Sequence, residues 1–167
     1  MKRFLKVLHT LGAVGLMGGF ASVLVLAGAA AAQPPEALAA VRAGLEVVAT
    51  WLLLPSLLLV VLSGLLGIGV HRPFHNAGWV WLKAATGVLL FEATLHLQAS
   101  AKDAALLSRL ALEGEGDAAI LAEVLRGERL GLLVLLGVCL ANVVLGVWRP
   151  RLTRAPALPE AEEPPLA

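Results

Sequence analysis

A single cysteine, no tyrosine, and charged side chains at only 15% of 167 positions restrict the sequence before any motif is read. One cysteine, Cys139, rules out an intrachain disulfide, so cysteine usage says nothing of the redox compartment. Its place inside an apolar run marks it as a small buried hydrophobe. So little charge, with a net value of +1, leaves no basic patch of the kind that binds nucleic acid. What is present is apolar: 59% hydrophobic residues and a mean hydropathy of +0.85. That exceeds the roughly half-apolar composition of soluble domains and points to the lipid bilayer as solvent.

A membrane-crossing helix needs roughly 20 mainly apolar residues. Four stretches qualify: Phe4 to Gly28, Leu45 to Gly69, Gly78 to Ala99 and Leu130 to Trp148. The expected fold is all-α, an integral membrane four-helix bundle occupying residues 1–154. A Pro- and Glu-rich tail at 155–167 is too polar to order itself. The opening MKR, the apolar run and AGAAAAQ together resemble a cleavable secretory signal. However, the run is longer than the roughly 7–15 residues of a signal core and contains Lys6 and His9, so it reads as a retained span.

Four crossings place both termini on one side. Lys2, Arg3, Lys6, Arg72, Arg149, Arg151 and Arg154 fall there, against Arg42, Lys102, Arg109, Arg126 and Arg129 opposite. By the retention of basic residues inside, both termini are expected in the cytoplasm, with the protein in a bacterial cytoplasmic (inner) membrane.

Within span one, Gly12, Gly15, Gly19 and Ser22 share a side, with His9 at its edge, which allows close approach of another helix or a flat cofactor. Gln33, Pro34 and Pro35 break the chain. Beyond them Arg42 and Glu46 stand at i, i+4 on an amphipathic start that merges with span two. Pro55 should kink that span, and Ser63, Gly64 and Gly67 mark a second close-packing site. The short loop GVHRPFHNAG makes spans two and three antiparallel neighbours and places His71 and His75 at the interface. From Ser100 to Arg129, apolar periodicity on either side of Gly114 and Gly116 predicts two short amphipathic helices in the outer loop, lying on the membrane or capping the bundle.

Ionisable groups inside hydrocarbon are costly and therefore candidate functional residues. His9 and Lys83 lie at similar distances into spans one and three, at one depth near the inner face. A cofactor can bridge them, with imidazole as an iron ligand and the amine ligating only when neutral. The plainer alternatives are a snorkelling Lys83 beside Trp79 and Trp81, and a His9 hydrogen-bonded to a neighbouring helix. Glu92 and His96, at i, i+4, lie on one side of span three with Trp81, while Lys83, Gly87, Thr94 and Gln98 lie on the other. Glu92 with His96 can orient a ligand, hold a metal or relay a proton, or can simply be a hydrogen-bonded pair. Two polar sides on one helix favour a bundle centre or a dimer interface.

FLKVLHTLGAVGLMGGF, Pro55, SGLLG and GWVWLKAATGVLLFE together resemble the copper-resistance-D-like (CopD-like) group of bacterial membrane proteins. They are most similar to the HemJ-type protoporphyrinogen oxidases and the small families beside them. The resemblance covers about residues 3–100, and NVVLGVWRPRL is similar to the way small relatives end. It implies b-type haem held by a helix-one histidine and a helix-three lysine, which here are His9 and Lys83, with His96 and Glu92 available for a second haem or for proton movement. The absence of tyrosine and the placement of Glu92 and His96 near the end of span three depart from the HemJ pattern. The resemblance therefore implies haem binding more than protoporphyrinogen oxidation. The expected function is electron transfer or haem-linked oxidation with an unspecified redox partner. Two rivals stay open: a small transporter or copper-handling protein using Glu92 and His96, and a cofactor-free packing or assembly partner. The small-residue faces are compatible with a homodimer.

Overall fold

The computed structural model describes residues 2–70 and 78–148. The loop histidines His71 and His75, the basic residues Arg72, Arg149, Arg151 and Arg154, and the 155–167 tail lie outside the described residues. The elements are α1 (Lys2–Ala30), α2 (Pro35–Val48), a π-helical turn (Ala49–Leu53), α3 (Leu54–Val70), α4 (Gly78–Glu113) and α5 (Ala118–Trp148). α2, the turn and α3 form one continuous rod, so the architecture is four long helices, each apolar and long enough to cross a membrane. In hydrocarbon a helix satisfies every backbone group within its own segment, which is why uninterrupted apolar runs take this form.

The breaks follow local chemistry. α2 begins with Pro34 in an extended conformation and Pro35 at the first helical position, where a missing N–H is harmless. α4 ends at Gly114, whose φ of 78° suits glycine. There the Glu115 N–H donates to Leu110 and the Gly114 N–H to Ala111, closing a Schellman motif. Asp117 opens α5, its Oδ1 accepting from the Ala119 N–H at 2.8 Å.

Around the bundle α1 packs on α3 and α5, and α4 packs on α5, α2 and α3. Neighbours along the chain are thus neighbours in space, and two diagonals remain: α1 faces α4, and the second rod faces α5. Large side chains fill the middle, with Leu16, Phe20, Val23, Leu53, Leu57, Leu132 and Leu135 buried. Towards the end remote from the termini the core turns to alanine: Ala27, Ala30, Ala39, Ala101, Ala104 and Ala105. Outward-facing leucines and valines from all four rods, among them Val14, Val25, Leu62, Val88 and Val134, are exposed as a lipid environment requires.

The outer stretch between spans three and four departs from the sequence expectation in connection, not in conformation. Both amphipathic segments are helical and the break falls at Gly114, but they are the ends of α4 and α5 rather than separate helices. No breaker separates Ala99 from Glu113, and Ala101, Ala104 and Ala105 allow packing to continue. At 36 residues α4 is about 54 Å long, well beyond the roughly 30 Å of hydrocarbon. The surplus carries exposed Lys102, Asp103, Arg109 and Glu113.

The irregularity expected at Pro55 occurs one residue earlier. The Leu54 N–H donates to Ala49 O, five residues back. The widened turn moves the Trp51 carbonyl away from the Pro55 ring, which would collide with it in a regular helix.

Candidate cofactor site and buried ion pair

Close approach of α1 and α3 positions His9. A Cβ on Gly12 would lie 2.8 Å from the Ser56 carbonyl oxygen and 2.9 Å from the Leu59 Cβ, so only glycine permits this separation. One helical turn away, His9 Nδ1 is 3.0 Å from Val60 O and 3.1 Å from Ser63 Oγ. A carbonyl oxygen only accepts, so Nδ1 carries the hydrogen and Nε2 keeps the lone pair. The Ser63 hydroxyl donates along its own helix to Leu59 O, which leaves its oxygen free to accept from His9. Gly64 gives the ring room: a Cβ there would sit 3.4 Å from His9 Cε1. Among the described residues Nε2 has no hydrogen-bond partner. A histidine anchored by Nδ1–H on a carbonyl, with Nε2 available, is oriented as metal-binding histidines are.

Lys83 is half-buried on α4 and reaches over α5, where a Cβ on Gly146 would lie 3.0 Å from its Nζ. His9 and Lys83 both lie towards the end of the bundle where α1 begins and α5 finishes, on helices facing each other across a diagonal. One turn deeper, Thr86 Oγ1 donates to Asn142 Oδ1 at 2.8 Å and Asn142 Nδ2 to Val138 O at 3.0 Å, tying α4 to α5 beneath Lys83. The imidazole and the amine are both nitrogen donors that could hold an iron-containing group. Among the described residues no cluster of three or more His, Cys, Asp or Glu could hold a metal alone.

Glu92 and His96 are placed differently. Lys83, Gly87, Thr94 and Gln98 face neighbouring helices, with Thr94 wholly buried, whereas Trp81, Glu92 and His96 are exposed. Within one chain His96 therefore turns away from His9 and Lys83. The two do not hydrogen-bond to one another, and neither has a polar partner among the described residues.

The i, i+4 spacing of Arg42 and Glu46 suggests a contact along one helix, but the structure directs Arg42 across the bundle. Arg42 Nη1 donates to Glu128 Oε2 in an ion pair between α2 and α5, with both residues buried, at 2% and 3% exposure. A signal was available. Arg42 falls in the stripe Ala39, Leu45, Ala49, and Glu128 in Leu121, Leu132, Leu135, Cys139, so each charge replaces an apolar residue on a core-facing side. Opposite charges on two core stripes imply a cross-bundle pair, which overrides an i, i+4 contact.

No protein family, curated protein or solved structure matches the chain, so its function is read from the arrangement of its own residues.

Proposed function

We propose that this is a membrane b-type haem protein in which His9 and Lys83 would hold the haem, serving electron transfer or haem-linked oxidation. The observation that carries the reading is His9 itself: Nδ1 is pinned to Val60 O and Nε2 retains its lone pair, with Lys83 towards the same end of the facing helix. The resemblance of FLKVLH and WVWLK to the HemJ-type group supports the same two ligands. Bound haem supplies one-electron chemistry at iron, with a potential set by ligand type and burial. Lys83 would ligate through its amine lone pair, which only the deprotonated form carries. Ser63 and Val60 hold the imidazole plane, and the glycines of α1 keep α3 close enough to do so.

The excess of Lys and Arg at the termini and middle loop supports a cytoplasmic-membrane protein with both termini inside. A redox partner belongs to the same reading. The outward placement of Glu92 and His96 leaves the transport alternative without an interior polar path through a single chain.

The test is the visible spectrum of protein purified from haem-sufficient cells. A Soret band is expected in the wild type, absent in His9→Ala, and shifted in Lys83→Leu, where loss of one ligand would leave the iron open to added imidazole. A colourless wild type, or a His9→Ala spectrum identical to wild type, overturns the proposal.

A further inference from the structure

Glu92 lies fourteen residues into α4, about 21 Å from its start, inside the apolar segment and beyond its middle. His96 is one turn further, and both are exposed among Val88, Leu89 and Leu95. At that depth a glutamate is too short to snorkel to either interface. Even in neutral form the carboxyl and imidazole present donors and acceptors that hydrocarbon cannot satisfy. A surface of this kind is covered by protein.

We infer that the exposed side of α4 is the interface of a two-fold homodimer, with Glu92 of each copy hydrogen-bonded to His96 of the partner subunit.

Three observations choose a second copy over another occupant. The face is self-complementary, since one acid and one base a helical turn apart pair reciprocally across a two-fold axis, satisfying all four groups. Copies inserted the same way run their α4 helices parallel, so the two levels coincide in depth. The exposed side also repeats every seven residues, as Ala85, Glu92, Ala99 and Leu106, the period of a parallel helix seam. The alanines on either side of Glu92 let the helices approach closely enough for short side chains to meet. Beyond the hydrocarbon, exposed Asp103 continues the same side of the helix. The inference stands apart from haem: His9 and Lys83 belong to the bundle interior, and the α4 seam lies outside it.

The experiment uses full-length protein with Cys139→Ala as background, carrying Ala85→Cys, Ala99→Cys or, on the exposed side of α5, Val134→Cys. Membranes are oxidised and run on a non-reducing gel, and subunits are counted by single-molecule photobleaching in nanodiscs. Disulfide-linked dimers are expected at positions 85 and 99 but not 134. Association should fall at least tenfold in Glu92→Ala/His96→Ala, and recover in the exchanged Glu92→His/His96→Glu. Because both groups lie outside the core, these variants should stay folded. A monomer in nanodiscs, a dimer cross-linked through position 134, or cross-links only to a protein of different mass would each overturn the inference.

Discussion

Arg42 on α2 and Glu128 on α5 join their charges inside the bundle, across a diagonal whose helices are separated by α1 and α4 on either side. Buried alanines at this end of the core, Ala39, Ala101, Ala104 and Ala105, are small enough to leave room for a guanidinium and a carboxylate. Arg42 Nε and Glu128 Oε1 are buried without a hydrogen-bond partner among the described residues, so the pair is desolvated and only partly compensated. A pair of that kind contributes little net stability compared with apolar residues of the same size, yet breaking it strands a buried charge. Its role is to set the rotation of α2 against α5.

Glu128→Ala should therefore destabilise the bundle by about 3–5 kcal/mol, the penalty for an uncompensated buried charge. The double replacement Arg42→Met/Glu128→Leu should recover most of that. Reversible unfolding in mixed micelles measures both, and equal losses in the single and double variants would show that the charges are not coupled.

The π turn holds one residue more than a regular helical turn over the same segment, and takes it up without turning α2 relative to α3. Deleting Thr50 should restore regular geometry and leave the α2 side chains, Arg42 included, facing as they do, while bringing the Pro55 ring against the carbonyl four residues before it. The resulting stability loss should be independent of the ion pair and should add to that of Glu128→Ala when the two are combined, which the same unfolding assay reads.

Two glycines on α1 provide a matched comparison. A Cβ at Gly12 would strike the Ser56 carbonyl and the Leu59 and Val60 side chains, whereas at Gly18 it meets nothing within 4 Å. Gly12→Ala should lose about 1–3 kcal/mol through overpacking. Gly18→Ala should be neutral or gain up to about 1 kcal/mol from reduced backbone freedom. Thermal melts of the two variants, run beside wild type, check the contrast.

Four apolar runs, the breaks at Pro34–Pro35 and Gly114, and the candidate polar residues were all legible in the sequence, because lipid forces long apolar segments into helices and because Pro, Gly and Asp act on their immediate neighbours. Hydropathy counted residues one window at a time, so it lost sight of α4 and α5 where alanine and charge replaced leucine. Periodicity likewise separated the two sides of α4 correctly but could not say which one faced inward. Packing decided that Thr94 is buried and that Glu92 and His96 face out, that His9 rests on Val60, and that Arg42 prefers Glu128 to the nearer Glu46. Those outcomes depend on contacts between residues 51 to 86 positions apart, whose geometry exists only once four helices have chosen their rotations together.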